Sequence, residues 1–172
     1  MKRLIKSLAA AVLVSAFFNA ASAQTSRQEK KAAEQAAVKN MVDNNHFYFV
    51  AQYALPMTGS SKFLTSTYDL KVTKDSIIAF LPYYGVAHMA PSPAEANEGG
   101  IKFTSTDFAF TQKEAKKGGW QITIKPKDHN ITNWRDVQQM TLDISKDGYA
   151  SLSVISSNRD PISFQGNVVA NE

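Results

Sequence analysis

The sequence predicts a mainly β fold: an antiparallel meander of about eight or nine strands, closed into a barrel or folded as a sandwich, with one helix before it. Two observations predict this class. From His46 onward, apolar and polar residues alternate with a period of two, which is typical of half-buried strands. Short turns rich in Gly, Pro, Asn and Asp separate these runs. No strand–helix–strand repeat occurs, which argues against a parallel sheet.

The first 23 residues have the pattern of a secretory signal peptide. Lys2, Arg3 and Lys6 provide a positive start, residues 8–18 form an apolar run, and residues 21–23 read Ala-Ser-Ala, a small-residue cleavage site. The apolar run is shorter than the ~20 residues that a permanent membrane helix needs. We therefore expect cleavage after residue 23 and a mature chain that works outside the cytoplasm.

The mature chain is predicted to be one globular domain over residues 24–172. Removing 23 residues from 172 leaves 149, which is an ordinary domain length. Within it, residues 24–45 are predicted to form a helix that ends near Asn44-Asn45, and residues 46–172 the antiparallel β domain. Ser26 and Glu29 fit a capping box at the start of the helix. An apolar stripe, strongest toward the end, supports its docking on the sheet.

Charge and cysteine content exclude several classes of protein. The chain has 19 Lys and Arg against 15 Asp and Glu, and three of the basic residues lie in the leader, so the mature balance is 16 against 15. That balance argues against a nucleic-acid partner. The chain has no cysteine, which excludes disulfides, thiolate metal sites and a lipid-modified cysteine. With no later apolar span, we expect a secreted, periplasmic protein without a lipid anchor or a membrane span.

The strands can be assigned to faces from their alternation. Tyr68, Leu70 and Val72 are expected to point inward together, as are Met140, Leu142 and Ile144. A parity slip at residues 105–107 predicts a bulge or tight turn, and Asp147-Gly148 predicts a hairpin turn.

The run from Ser76 to Leu81 is apolar on both faces. This pattern predicts a central strand that is covered on both sides, with Phe80 and Leu81 both buried.

The long loop Pro82–Gly100 contains the candidate site. Tyr83, Tyr84, His88 and Met89 follow the buried strand, and tyrosine combines an apolar ring with a polar tip that suits glycans, peptides and lipids. We therefore take these four residues as a hypothesis for ligand binding. The alternative is structural: one tyrosine closes the end of the barrel with its hydroxyl bonded to backbone, while Pro82 and Gly85 form the turn.

An ordered set of motifs resembles a known family. The set comprises Ala79-Phe80-Leu81-Pro82-Tyr83-Tyr84-Gly85, Gly100-Ile101-Lys102-Phe103, Lys117-Gly118-Gly119-Trp120-Gln121-Ile122, Gly148-Tyr149-Ala150-Ser151-Leu152 and Ser163-Phe164-Gln165-Gly166. Behind a signal peptide and an alanine-rich helix, this order resembles domain of unknown function 4251, a secreted family found chiefly in Bacteroidetes. The resemblance covers roughly the whole mature chain and implies a Gram-negative envelope. It implies no catalytic residues, because the family has no established activity.

Catalytic motifs are missing from the sequence. The three histidines, His46, His88 and His129, show no metal-binding spacing, and no nucleophile elbow, phosphate-binding loop or dinucleotide fingerprint occurs. We therefore expect no enzyme, no cofactor and no metal.

The leading functional hypothesis is a non-catalytic binding or accessory module for a small apolar or glycan-like ligand. A cavity lined by Phe49, Phe80 and Phe103 would favour it. The alternatives are a protein-interaction or inhibitor module that uses a sheet edge or the 82–100 loop, and a hydrolase on an unrecognised scaffold. The partner is thus an unknown small molecule or envelope protein, and the sequence does not fix an oligomeric state.

Overall fold

The computed structural model describes residues 27–88, 99–115, 118–128 and 136–170. The chain divides into two compact units, the first ending at Ala37 and the second beginning at Val38. Residues 27–37 of the first unit are helical, and the helical conformation ends at residue 43 in the second. The predicted signal peptide, residues 1–23, lies outside the described residues.

The described residues of the second unit form nine strands joined in one antiparallel sheet. The strands are β1 (Phe47–Pro56), β2 (Lys62–Val72), β3 (Ile77–Leu81), β4 (Ile101–Ser105), β5 (Phe108–Glu114), β6 (Trp120–Pro126), β7 (Val137–Ile144), β8 (Tyr149–Ser156) and β9 (Ile162–Ala170). Their order in the sheet is β4-β3-β2-β1-β9-β8-β7-β6-β5. The sheet curls into a nearly closed barrel, with β4 and β5 as its two edges. The predicted fold class is confirmed.

The core lies on the concave face of this sheet, where alternate residues of each strand point. Leu70, Val72, Met140 and Leu142 are fully buried and Ile144 nearly so, which confirms the predicted facing of these five residues. Tyr68, the outermost of the predicted set, is half-buried: it packs against the core, but its ring also stacks on that of Phe80. Burial of this apolar face is the main favourable term in the stability of the fold.

The end of the helical segment belongs to the same core. Val38 and Val42 are buried in it and Met41 packs against it. Asn45 then takes a φ of 50°, a left-handed conformation that asparagine tolerates better than most residues and that stops the helix. The predicted stop at Asn44-Asn45 is confirmed.

The prediction for β3 is wrong in part. Leu81 is fully buried, but Phe80 is 43% exposed and Ile78 also points outward. β3 lies next to edge strand β4 and not at the centre of the sheet, and none of the described residues forms a second layer over its convex face. Phe80 is partly shielded instead by two neighbouring side chains. The Tyr68 ring stacks on it with 5.6 Å between the ring centres, and the Lys102 ammonium nitrogen lies 4.9 Å from the centre of the Phe80 ring.

A tight turn at residues 105–107 joins the two edge strands, as predicted. The Ser105 hydroxyl, which is fully buried, lies 2.7 Å from a carboxylate oxygen of Asp128, and the amide of Thr106 donates to the other oxygen at 3.2 Å. These hydrogen bonds, that of Ser105 first, hold the pKa of Asp128 below its usual value. Asp128 therefore ties the end of β6 to the turn between β4 and β5.

The predicted loop Pro82–Gly100 is described at its two ends only, over residues 82–88 and 99–100. Among the described residues, no helix is long and apolar enough to cross a membrane.

Candidate functional site

The predicted site residues follow β3 at one end of the barrel. Tyr83 and Tyr84 are half-buried and His88 is exposed, while Met89 lies outside the described residues. Tyr84 and His88 are therefore at least partly accessible. Whether these residues bind a ligand stays a prediction.

Tyr83 is engaged in contacts within the protein. Its hydroxyl donates to the carbonyl oxygen of Val86 at 2.9 Å and also lies 3.2 Å from that of Asp160. The hydroxyl lies close over Gly85, where a Cβ would come within 2.6 Å of it. Burial raises the pKa of Tyr83. These contacts are those of the structural alternative, in which a tyrosine closes the end of the barrel.

The segment after β3 is tied to the turn between β8 and β9. His88 donates its backbone amide to Asn158 at 2.8 Å, and its ring nitrogen Nε2 lies 2.9 Å from a carboxylate oxygen of Asp160. The amide of Asp160 in turn donates to Val86 at 3.0 Å. His88 thus has a positioning contact that sequence spacing did not reveal.

Arg159 is the residue of this region that sequence reasoning missed. It is 2% exposed, it donates from Nη1 to the carbonyl oxygen of Gly100 at 3.0 Å, and its guanidinium lies 4.5 Å from the centre of the Tyr83 ring. One buried cation therefore holds both described ends of the Pro82–Gly100 loop. No signal in the sequence marks Arg159, because a single arginine in a turn usually lies at the surface.

A second candidate site lies on the convex face of the sheet. It is a groove of about 490 Å³ that crosses five strands, which are neighbours in the order β1-β9-β8-β7-β6. We call it the outer groove and define it by the outward side chains of Tyr53, Asp143, Tyr149, Ser151, Gln165 and Asn167.

The floor of the outer groove is made by the backbone of residues at inward-facing positions of their strands. Gly166 pairs with Ala150, and Ala150 pairs with Ile144, in one row across β9, β8 and β7. A Cβ on Gly166 would lie 1.9 Å from the carbonyl oxygen of Val50, so only glycine fits where β9 approaches β1. A register shift in β1 between Ala51 and Tyr53 brings the Tyr53 side chain to the surface beside this floor.

The walls of the outer groove combine aromatic rings with uncharged polar groups. Tyr149 is 68% exposed and Tyr53 43% exposed. Between them lie the hydroxyl of Ser151 and the carboxamide of Gln165, which are cross-strand partners. Asp143 continues this row, and Gln121 donates to its carboxylate from Nε2 at 2.8 Å. The hydroxyl and the carboxamide can both donate and accept hydrogen bonds beside an apolar ring face, whereas the carboxylate of Asp143 only accepts them.

Sequence alternation contained part of this signal. Because Ala150, Leu152 and Val154 point inward, Tyr149 and Ser151 have to point outward. The pairing that brings Tyr53 of β1 beside Gln165 of β9 has no signature in the local sequence. Among the described residues, no group of three or more His, Cys, Asp or Glu is placed to hold a metal ion.

Comparisons with known proteins agree with the fold. A crystal structure, determined at 1.95 Å resolution, of a DUF4251 family protein from Bacteroides eggerthii DSM 20697 has a similar fold. Its TM-score is 0.60 at 16% sequence identity, and the match covers 81% of this chain and 91% of that one. A search of curated proteins finds none that matches.

The family described as Domain of unknown function (DUF4251) matches residues 29–168. That span includes all nine strands except the last two residues of β9, and it contains every residue that defines the outer groove. The resemblance seen in the ordered sequence motifs is therefore confirmed, and the chain belongs to the DUF4251 family.

Proposed function

We propose that this protein is a non-catalytic binding module of the bacterial envelope whose ligand is glycan-like and lies in the outer groove. The observation that carries the proposal is the pair of exposed tyrosines, Tyr53 and Tyr149, beside a trough lined by hydroxyl and carboxamide groups. Export and a periplasmic location are part of the proposal and rest on the leader pattern of residues 1–23. N-terminal sequencing of the exported chain tests that part: a retained Met1 would contradict it.

The polar lining favours a glycan over an apolar ligand. Sugar hydroxyls can pair with Ser151, Gln165 and Asn167, and the apolar face of a sugar ring can pack on a tyrosine ring. A purely apolar ligand would cover these polar groups without replacing their hydrogen bonds to water, which costs free energy for each group.

The interior of the barrel supports the proposed location of the ligand on the convex face. Phe49 is fully buried and Phe103 packs against the same core, but Phe80 points to the other face of the sheet. The three rings therefore do not line one cavity, and the interior cavity that would have favoured a ligand inside the barrel is not formed by them.

Calorimetric titration against a panel of soluble oligosaccharides tests the proposal. Tyr149→Ala is expected to weaken binding at least tenfold, about 1.4 kcal/mol, because the ring supplies an exposed stacking surface. Ile155→Ala is the matched control, since Ile155 also points outward on β8, is 43% exposed and lies outside the groove. Equal affinity of the wild-type protein and Tyr149→Ala, or no binding by either, would reject the outer groove as the binding site.

A second function is favoured by a separate observation. Met57 and Phe63, at the hairpin between β1 and β2, are 66% and 65% exposed, and Tyr53 meets Phe63 edge-on at 5.3 Å. An exposed apolar cluster of this kind is typical of protein-interaction surfaces. If an envelope protein binds here, Phe63→Ser is expected to prevent copurification of that protein from the native host. Phe80→Ser, which changes an exposed ring on β3, should not prevent it.

A further inference from the structure

We propose that the ligand of the outer groove is an extended, uncharged, β-1,4-linked oligosaccharide that lies across the strands, with about one sugar unit per strand. This inference rests on the proposed function and specifies its ligand and orientation.

The first argument is the direction of the groove. Its lining comes from β1, β9, β8, β7 and β6, which are consecutive in the sheet, so its long axis crosses the strands. Neighbouring strands lie about 4.8 Å apart, so the four strands that present outward side chains to the groove, β1, β9, β8 and β7, span about 14 Å from first to last. A ligand that fills this length has to be a linear chain and not a single small ring.

The second argument is the spacing of the polar contacts. Tyr53, Gln165, Ser151 and Asp143 form one row of cross-strand partners on β1, β9, β8 and β7. In this row each of the four strands presents one outward side chain to the groove, at the interval of the strand spacing. The length of one hexose unit in an extended β-1,4-linked chain is close to this interval, so successive sugars meet successive strands.

The third argument is the shape of the walls. On the other side of the Gly166–Ala150 floor, Tyr149 is paired with Asn167 and forms a second row. The two rows bound a trough whose floor carries no large outward side chain. An α-1,4-linked chain curves into a helix and would leave such a trough, whereas a β-1,4-linked chain remains extended and can stay in it.

The fourth argument is charge. Among the described residues that line the groove, Asp143 is the one carboxylate, and Lys, Arg and His are not represented. A chain of uronic acids would therefore approach a negative charge without a compensating cation. An uncharged chain meets only hydrogen-bonding groups, and its binding should change little with ionic strength.

Chain length is the variable that tests the inference. Wild-type protein is titrated with cello-oligosaccharides and chito-oligosaccharides from dimer to hexamer, and with malto-oligosaccharides of the same lengths. The affinity for at least one β-1,4-linked series is expected to rise at least tenfold from dimer to tetramer and then to level off. A tetramer that binds no more tightly than its dimer, or a malto-tetramer that binds as tightly as the β-1,4-linked tetramers, would overturn the inference.

A variant at the far end of the row tests the orientation. Asp143→Ala should lower the affinity for the tetramer toward that of the dimer and leave the dimer nearly unchanged, because a dimer can bind at the Tyr53 end alone. Thr141→Ala is the control, since Thr141 is the next outward residue on β7 and does not line the groove. An equal loss for dimer and tetramer would contradict a chain that lies across the strands. If the inference alone fails, oligosaccharides still bind and Tyr149→Ala still weakens them, whereas failure of the proposed function removes both results.

Discussion

Substitutions at Tyr83 measure whether this residue holds the barrel end together or is available to a ligand. Tyr83→Phe keeps the ring and removes the hydroxyl that bonds Val86 and Asp160, so it should cost about 1 kcal/mol, the usual net value of a hydrogen bond. Tyr83→Ala also removes the ring beneath the Arg159 guanidinium. Truncating a fully buried aromatic ring lowers the free energy of unfolding by about 3–5 kcal/mol. Because Tyr83 is half-buried, we expect Tyr83→Ala to lower it by about 3 kcal/mol.

The free energy of unfolding, from urea denaturation of each variant, checks this order. Tyr149→Ala is the control, because an exposed tyrosine away from the core should change stability by less than about 0.5 kcal/mol. If Tyr83→Ala is as stable as this control, the contacts around Tyr83 do not stabilise the fold, and the structural interpretation of Tyr83 is wrong. That result would favour the hypothesis that Tyr83 and its neighbours in this loop bind a ligand.

Two further predictions concern Asp128, which ties the end of β6 to the turn between β4 and β5, and the facing of β3. The hydrogen bonds from Ser105 and Thr106 lower the pKa of Asp128 in the folded protein. Their stabilising effect is therefore complete above the ordinary aspartate pKa of about 3.9, and it is lost as the pH falls through the lower pKa of the folded state. The free energy of unfolding, measured by urea denaturation at a series of pH values, should therefore fall less steeply below a pH of about 4 in Asp128→Asn than in the wild-type protein. Identical pH profiles of the two proteins would contradict this role of Asp128. Leu81→Ala should cost about 2–5 kcal/mol in urea denaturation, whereas Phe80→Ala, at an exposed site, should cost clearly less; the reverse order would show that the facing of β3 is misassigned.

The fold could be predicted because its signals are local. Alternation sets which residues of β2 and β7 face the core, and the turns at residues 105–107 and at Asp147-Gly148 follow from parity and from turn chemistry. The prediction for Phe80 is wrong for a related reason. An apolar run suits a strand covered on both faces, but local sequence does not reveal whether a second layer exists, and among the described residues none covers the convex face of β3.

The predicted site illustrates a different limit. Tyr83, Tyr84 and His88 could be singled out because aromatic residues after a strand are conspicuous. Their partners could not, since Arg159 and Asp160 lie in a turn that meets the loop only after β9 has paired with β1. A tyrosine that binds a ligand and a tyrosine that closes a barrel have the same local sequence, and only its tertiary contacts distinguish them.

Gly166, in the floor of the outer groove, shows both why local sequence is informative and what it leaves out. In the sequence Gly166 reads as a weak position within a strand, since glycine lacks a side chain to pack and costs conformational entropy. In the fold it is required, because β1 shifts register opposite it and brings the Val50 carbonyl to where a Cβ would be. The same shift brings Tyr53 to the surface. A single close approach between two strands that are far apart in the chain thus accompanies one aromatic wall of the groove, and this wall cannot be predicted until the pairing of β1 with β9 is known.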